Sequence, residues 1–394
     1  AVRSNPNPLV PLLPGFGDDP TLGINPDFHP MKGPMVTQSL RGMANHGPMH
    51  WRGDRTGGAA AASAQPDAGA FDERAAFAAF NPAFVSLLGR DAELPAAQMQ
   101  AFGEFVLQIK YPPNPIRNLD SSLTPAQQAG RDFFFNVSVG PFGPCGACHV
   151  TDPTANPDAG SFSGLFGTDG RSAFANQPQI LKVPHLRNLY QKVGMFGFGA
   201  QRGNQPADPF LGDQIRGFGF THDGTVPDLF RFSGDFDQTP GLPFGIPPGP
   251  EGVTAKQNLE QFMLAFDTNL APIVGQQITL IAGLRPEVLT RIDLLLARAE
   301  AGECEVVAKG RIGGDVVGFR YAGGGRFQPD RKARPLINDQ TLRKQVALSG
   351  GELTYTCVPL GSGVRIGIDR DLDGVLDGDE LAAGSDPADP ASVP

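Results

Sequence analysis

The sequence has 394 residues, which is enough for two or three domains that each bury a hydrophobic core. With 51 glycines, 38 prolines and 40% hydrophobic residues, the composition is typical of a loop-rich protein. The net charge of -9 argues against binding to nucleic acid or to an anionic membrane surface. The sequence contains no apolar run of about 18 residues, which a bilayer-spanning helix requires.

The N-terminal part of the chain begins a weak internal repeat. The segment VTQSLRGMANHGPMHWRGDR (residues 36–55) aligns with KVPHLRNLYQKVGMFG (182–197), followed after an insertion rich in glycine and phenylalanine by FTHDGTVPDLFRF (220–232). Each copy contains a Leu-Arg pair and then a Trp/His-x-Gly tripeptide. The repeat predicts two similar domains.

Each copy of the repeat leads into a segment with helical periodicity. Apolar side chains recur at helical spacing in residues 96–110 and again in residues 256–267. The positions are Met99, Phe102, Val106 and Ile109, then Leu259, Phe262, Met263 and Phe266. A proline-containing stretch follows each segment and is a typical helix stop. We interpret both stripes as hydrophobic core that closes a domain.

Residues 144–150, PCGACHV, carry the most specific motif in the chain. Cys145, Cys148 and His149 have the CxxCH order of covalent haem attachment, in which two thiols bond to porphyrin vinyl groups and the histidine ligates iron. A zinc knuckle would need a second Cys/His pair nearby, and a thioredoxin-type redox pair would need a βαβ context. Neither context is present in the sequence, so the motif predicts haem c.

The second copy of the repeat follows the CxxCH motif, whereas the first copy has no such motif ahead of it. The offset between Leu40 and Leu186 puts the corresponding position upstream of Ala1. We therefore expect the chain to be the C-terminal portion of a protein with two or more haems. The alternative is a complete chain whose first domain has lost its haem and kept its scaffold.

Cys304 and Cys357 are the other two cysteines of the chain. They predict one disulfide in an oxidising compartment, and two buried free thiols are the alternative. Because haem is expected to be attached to CxxCH motifs outside the cytoplasm, both features indicate a periplasmic or extracellular protein.

After Gly302, short β-prone runs separated by glycine pairs replace the helical pattern. We interpret residues 302–368 as a small β module that the Cys304–Cys357 disulfide closes. This segment contains no histidine, and its carboxylates do not cluster before residue 369. The β module is therefore expected to be a structural or docking element.

The segment DRDLDGVLDGDE (residues 369–380) matches the 12-residue EF-hand calcium loop. The predicted ligands are Asp369, Asp371, Asp373, the carbonyl of Val375, Asp377 and Glu380, with Gly374 at the turn. A solvated acidic tail is the alternative. Because the sequence indicates no helix pair around the loop, we expect a stabilising Ca²⁺ site and not a sensor.

The motifs CGACH, VPHLRN, HDG and, in the first copy, HPMKGP followed by HWRG resemble the bacterial dihaem cytochrome c peroxidases and the related methylamine-utilisation dihaem enzymes. The resemblance covers residues 25–270. It implies that His29, ahead of Lys32-Gly33-Pro34, is a distal ligand of the first haem. It also implies that Trp51 lies between two haems. A surface loop position is the alternative for His29.

The chain departs from that family in three places. A first CxxCH motif is absent, no methionine follows His222-Asp223-Gly224 closely, and residues 198–219 are an insertion. The sixth ligand of the haem on His149 therefore stays open among His185, Met195, His222 and Met263. We favour Met195, which lies in a glycine-flanked loop, with His222 as the alternative.

Arg41 and Arg187, one in each Leu-Arg pair, are candidates for bidentate hydrogen bonds to haem propionates. Salt bridges on a helix surface are the alternative for both arginines.

These features predict a mainly α fold of c-type cytochrome domains with a small C-terminal β module and an EF-hand-like calcium loop. The expected parts are a truncated first cytochrome c-like domain (1–118), a complete second domain with covalent haem (119–301), the β module (302–368), and the calcium-binding loop and tail (369–394).

The predicted function is electron transfer by an exported c-type cytochrome, with a redox partner protein or a neighbouring haem domain. One alternative is a dihaem hydrogen peroxide reductase whose peroxidatic haem lies in the first domain, which would make the protein a peroxidase-like oxidoreductase. Another is a structural module of an extracellular cytochrome assembly, as a homo-oligomer or filament. Haem c and Ca²⁺ are the expected cofactors.

Overall fold

The computed structural model describes residues 35–44, 49–51, 72–140, 143–149, 168, 172–174, 180–194, 217–224 and 226–394. The chain forms two compact units. The first unit contains residues 1–111 and 123–268, and the second contains residues 112–122 and 269–394. None of the described helices combines the length and the apolarity that crossing a bilayer requires.

Helices make up most of the regular structure described in the first unit. They are α1 (Glu73–Ala78), α2 (Pro82–Ser86), α3 (Ala96–Gln108), α4 (Pro125–Asn136), α5 (Leu229–Phe232) and α6 (Pro250–Leu264). An antiparallel pair of strands, β1 (Ser172–Phe174) and β2 (Ile180–Lys182), lies between α4 and α5 in sequence. The helices predicted over residues 96–110 and 256–267 are confirmed as α3 and α6.

The apolar stripe of α3 forms one hydrophobic cluster of the first unit. Met99 and Val106 are buried together with Phe77 of α1. Phe77 also meets Phe102 edge to face, with 5.2 Å between the ring centroids. Met43 joins this cluster, so the loop around it packs against α1 and α3.

A second cluster forms where α4 and α6 cross. The hydroxyl of Thr124 accepts a hydrogen bond from Gln127 N, and the Gln127 side chain accepts one from Thr124 N, which is a capping box that starts α4. Phe134 of α4 is fully buried, with its ring centroid 5.4 Å from that of Phe262 of α6. Since α4 ends shortly before the CxxCH motif, this helix crossing anchors the chain that leads into it.

The second unit is built on an antiparallel sheet. Its strands are β3 (Gln277–Ile281), β4 (Glu305–Ile312), β5 (Asp315–Gly323), β6 (Arg326–Pro329), β7 (Ile337–Asn338) and β8 (Glu352–Val358), in the order β3-β8-β4-β5-β6-β7. Its helices are α7 (Pro286–Glu300), α8 (Asp339–Ser349), α9 (Gly363–Gly367) and α10 (Asp377–Ala383). The strands β4 to β7 follow one another as a meander, whereas β3 and β8 join from distant parts of the sequence.

The mainly α fold predicted from the sequence is wrong. The chain mixes helix and strand, and residues 269–394, which are described without a gap, contain a six-stranded antiparallel sheet. Leu295 of α7 and Leu342 of α8 are fully buried in the same core as Tyr355 of β8. The sheet thus covers the apolar face of α7, which belongs to the second unit.

The predicted disulfide between Cys304 and Cys357 is confirmed, with 5.6 Å between the two Cα atoms. Cys304 directly precedes β4, and Cys357 of β8 pairs with Val306 of β4. Both cysteines are buried in the core of the sheet. The bond therefore links two neighbouring strands that are far apart in sequence.

Candidate haem site and acidic loop

The CxxCH motif lies on one tight turn in the first unit. Residues Cys145–Ala147 form a single turn of 3₁₀ helix. The carbonyl oxygen of Cys145 accepts hydrogen bonds from Cys148 N at 3.2 Å and from His149 N at 3.0 Å. Two thiols and one imidazole, the donor set of haem c, therefore project from a stretch of chain that is wound on itself.

Aromatic and apolar side chains surround this turn. The ring centroid of Phe134 lies 6.4 Å from that of His149, and Cys145 packs against the same apolar cluster as Phe134. Burial raises the pKa of the Cys145 thiol to about 11. Such surroundings suit a thioether and a porphyrin ring, and they disfavour the thiolate that zinc binding or disulfide exchange requires. The residues of the turn thus fit covalent haem.

The four candidates for the sixth haem ligand have different surroundings. Met195 lies outside the described residues. Met263 is buried in the cluster where α4 and α6 cross, as expected for a core residue. Both ring nitrogens of His185 have protein neighbours, since Nδ1 accepts from Arg187 N at 3.2 Å and Nε2 lies 3.4 Å from Tyr111 Oη. Met195 and His222 therefore stay the predicted ligands.

Trp51 and His222 are joined through Val36. The indole Nε1 of Trp51 donates to the carbonyl oxygen of Val36 at 2.9 Å, and Val36 N donates to the carbonyl oxygen of His222 at 2.8 Å. Trp51 and His222 are both buried. The structure thus brings together two residues selected from different copies of the repeat. His29, the predicted distal ligand of a first haem, lies outside the described residues.

Two lysines that sequence reasoning did not select lie near the Trp51 ring. Lys182 Nζ is 5.7 Å and Lys192 Nζ is 5.6 Å from the ring centroid, within the range of cation–π interactions. Lys182 N also donates to the carbonyl oxygen of Trp51 at 2.8 Å. Burial lowers the pKa of Lys192 to about 8. No local signal identifies these contacts, because both lysines are far from Trp51 in sequence.

The two arginines predicted to bind propionates lie in different environments. Arg187 is buried, and its Nη2 donates to the carbonyl oxygens of Gly42 at 3.0 Å and Ala44 at 3.3 Å. Its guanidinium carbon lies 5.8 Å from the ring centroid of Tyr111. Arg41 is exposed. Arg187 therefore ties the second copy of the repeat to the first, and propionate binding by either arginine stays a prediction.

In the second unit, the acidic segment 369–380 is shaped by its own carboxylates. Asp369 Oδ1 accepts a hydrogen bond from Leu372 N at 2.8 Å, and Asp369 Oδ2 accepts one from Gly374 N at 3.3 Å. Gly374 turns the chain at φ 95°, a left-handed value that glycine adopts most readily. These contacts wind the segment into a closed loop around the Asp369 carboxylate.

Three further carboxylates of this segment have oxygens without a hydrogen-bond partner. Asp371 Oδ1 accepts from Asp373 N at 3.2 Å, and Asp373 Oδ1 accepts from Val375 N at 2.7 Å. The Oδ2 atoms of Asp371 and Asp373 and both carboxylate oxygens of Glu380 are buried without a hydrogen-bond partner. Glu380 has no exposed surface. Burial, followed by the charges of the neighbouring aspartates, raises the pKa of Glu380.

Two short helices flank the acidic loop, so the expectation that no helix pair surrounds it is wrong. The helix α9 ends at Gly367, two residues before the loop, and α10 begins at Asp377 inside it. Helices of five and seven residues are too short to produce a recognisable apolar period in the sequence.

Asp377 is held by one donor within the loop and one from the sheet. Its Oδ1 accepts from Arg370 N at 2.7 Å, and its Oδ2 pairs with Lys309 Nζ of β4 at 3.1 Å. Both oxygens of Asp377 therefore have protein donors, unlike the second oxygens of Asp371 and Asp373. Lys309 was not selected from the sequence, because nothing in β4 signals a partner in the tail.

Asp330, which follows β6, connects the start of α10 to the sheet. Its Oδ2 accepts from Gly318 N at 2.6 Å, and its carbonyl oxygen accepts from Gly378 N at 2.9 Å. Lys332 N donates to Asp379 Oδ2 at 2.8 Å in the same region. The acidic loop is thus fastened to β5 and to the turn after β6, and sequence reasoning missed this support.

No family model and no curated protein matches the chain. Among solved structures, the chain is similar to the hydrazine synthase of Kuenenia stuttgartiensis pressurised with xenon, with a TM-score of 0.34 and 17% sequence identity. The similarity covers 59% of this chain and 72% of that one. At this TM-score, the likeness assigns neither a fold nor a function.

Proposed function

We propose that the protein is an exported c-type cytochrome that carries haem on Cys145, Cys148 and His149 and transfers electrons. The turn that holds these three residues supports the proposal, because two thiols and an imidazole lie within five positions of chain that hydrogen bonds wind into one turn. Bound haem would supply an iron that cycles between the ferric and ferrous states.

The residues around the turn would contribute a dry, apolar environment. Cys145 lies against the cluster of α4 and α6, and the Phe134 ring neighbours the His149 ring. An apolar shell limits solvent access to a haem and thereby tunes its reduction potential. The same shell keeps Cys145 as a neutral thiol before attachment, because burial raises its pKa to about 11.

Electron transfer, and not substrate chemistry, is the role we propose, because two side chains would hold the iron. His149 would be one of these ligands, and Met195 would be the favoured second ligand, with His222 as the alternative. An iron held by two side chains would leave no position for a small molecule. The partner would be a redox protein or a neighbouring haem domain, outside the cytoplasm.

Haem content tests the proposal. The full chain is produced in a bacterial host that attaches haem to CxxCH motifs, and the pyridine haemochrome spectrum is measured with the intact mass. We expect one covalent haem per chain, and none after the double substitution Cys145→Ala and Cys148→Ala. The double substitution Cys304→Ala and Cys357→Ala is the matched control, because it removes the other two cysteines and leaves the haem count at one.

Binding of carbon monoxide to the ferrous protein tests whether two side chains hold the iron. The wild-type protein is expected to resist carbon monoxide, whereas substitution of the true sixth ligand, Met195→Ala or His222→Ala, is expected to admit it. A chain with two unmodified thiols would refute haem binding. A wild-type haem that binds carbon monoxide readily would refute the electron-transfer role and favour a reaction at the iron.

A further inference from the structure

The acidic loop contains a set of buried carboxylate oxygens that the electron-transfer role does not use. The Oδ2 atoms of Asp371 and Asp373 and both oxygens of Glu380 are buried and without hydrogen-bond partners. A buried carboxylate without a partner is strongly unfavourable, because it has lost its hydration and gained nothing in return. A cation among these carboxylates would supply the missing interaction.

The arrangement of the oxygens selects the kind of cation. One carboxylate oxygen from each of Asp369, Asp371 and Asp373 lies within 4.8 Å of the other two, so a single ion can contact all three. A set composed of oxygens alone suits a hard divalent cation. The buried Glu380 is the last residue of the 12-residue loop, and a bidentate carboxylate at that position would favour the larger Ca²⁺ over Mg²⁺.

We propose that residues 369–380 bind one Ca²⁺ ion through Asp369, Asp371, Asp373 and Glu380, with Asp377 as a positioning residue that does not contact the ion directly. The two oxygens of Asp377 accept from Arg370 N and Lys309 Nζ, so they are engaged on the protein side. The Val375 carbonyl is the expected fifth protein ligand, from its position in the loop.

The ion would also fasten the end of the chain to the sheet. Glu380 belongs to α10, whereas the three aspartates precede α10, so their shared ion fixes the helix to the loop. Gly378 of α10 donates to the carbonyl oxygen of Asp330, and the Asp330 side chain accepts from Gly318 of β5. Binding of Ca²⁺ therefore stabilises the second unit, and the short helices of the loop have no apolar groove to expose as a sensor would.

Calcium titration of the chelator-treated full chain tests this proposal. Isothermal titration calorimetry with CaCl₂ is expected to give one ion per chain, with a dissociation constant on the order of 10⁻⁴ M or tighter, as in extracellular calcium modules. Saturating Ca²⁺ is expected to raise the thermal midpoint by about 5 °C over a sample in EGTA. Hydrogen exchange of residues 363–384 is expected to slow under the same conditions.

Two conservative variants and one control define the site. Glu380→Gln and Asp371→Asn each keep the size of the side chain and are expected to weaken Ca²⁺ binding at least ~10-fold. Asp386→Asn removes an exposed acid a few residues beyond Glu380 and is expected to leave binding unchanged. If Glu380→Gln or Asp371→Asn fails to fold, terbium luminescence measures the loss of metal binding in the other variant.

Three results would overturn the proposal. The first is the absence of binding heat together with equal thermal midpoints in Ca²⁺ and EGTA. The second is a loss of Ca²⁺ affinity in Asp386→Asn equal to the loss in Glu380→Gln and Asp371→Asn, which would show that binding follows net charge alone. The third is equal stabilisation by Mg²⁺ and Ca²⁺ at matched concentrations, which would remove the calcium assignment. None of these results bears on the haem count.

Discussion

Glu260 is a partly buried carboxylate of α6 that caps the start of α5. Its Oε1 accepts hydrogen bonds from Leu229 N and Phe230 N, each at 3.1 Å. Burial, which outweighs these hydrogen bonds, raises the pKa of Glu260, and the charge of Asp228 acts in the same direction. The folded protein therefore holds this proton more tightly than the unfolded chain does.

The raised pKa of Glu260 predicts a pH-dependent difference between the wild type and Glu260→Gln. As pH rises from about 4.3, the ordinary glutamate value, to the raised folded value, the wild type loses stability because its buried carboxylate ionises. The variant keeps an amide oxygen acceptor and does not ionise. The free energy of unfolding is measured in denaturant at several pH values. Across that window it should fall in the wild type relative to the variant, and above the window the two curves should run parallel.

Glu260→Ala serves as the comparison, because it removes the acceptor as well as the charge. It is expected to cost about 1–2 kcal/mol at every pH, since two amide groups at the start of α5 lose their partner. Parallel pH curves for the wild type and Glu260→Gln would contradict the raised pKa.

At the scale of elements, the crossing of α4 and α6 depends on a glycine. A Cβ atom on Gly130 would lie 1.9 Å from the carbonyl oxygen of Asn258, which belongs to the backbone of α6 and cannot rotate away. We expect Gly130→Ala to separate the helices and to lower the free energy of unfolding by about 3 kcal/mol or more, as measured by chemical denaturation.

Gly103→Ala in α3 is the matched control for Gly130→Ala. Both glycines are buried inside helices, but a Cβ atom on Gly103 would meet only the Phe77 ring, at 3.3 Å. A ring can shift, and alanine favours helix by about 1 kcal/mol over glycine. The control is expected to change stability by less than about 1 kcal/mol. Equal changes in the free energy of unfolding for Gly130→Ala and Gly103→Ala would show that α4 and α6 do not pack closely at Gly130.

At the scale of the whole molecule, the disulfide contributes to the stability of the sheet in the second unit. It joins residues 53 positions apart in sequence and lies in the core between β4 and β8. Because a cross-link restricts the unfolded chain, its removal in a Cys304→Ala, Cys357→Ala double variant should cost about 3–4 kcal/mol. Denaturant unfolding measures this cost, and hydrogen exchange in β4 and β8 should be faster than in the wild type.

The chemically reduced wild type provides the control for the double variant. Reduction breaks the cross-link without removing the buried sulfur atoms, so it separates the effect of the bond from the effect of packing. An unfolding free energy that is the same before and after reduction would contradict the proposed contribution of the disulfide.

Several features could be predicted from the sequence because neighbouring residues encode them. The CxxCH turn spans five positions and the acidic loop spans twelve, so both are local features, whereas the haem and the Ca²⁺ ion stay predictions. The helices α3 and α6 follow from apolar side chains at helical spacing. The pairing of Cys304 with Cys357 follows from the small number of cysteines left after the haem motif is set aside.

Other features depended on tertiary structure, because residues far apart in sequence had to meet. The sheet order places β3 beside β8 and β8 beside β4, and the shared burial of α7, α8 and these strands decides that order. The contacts of Lys309 with Asp377 and of Val36 with His222 also bring distant segments together. A local sequence pattern specifies which ligand residues are neighbours in the chain. The burial of apolar surface decides which residues from distant parts of the chain pack around them.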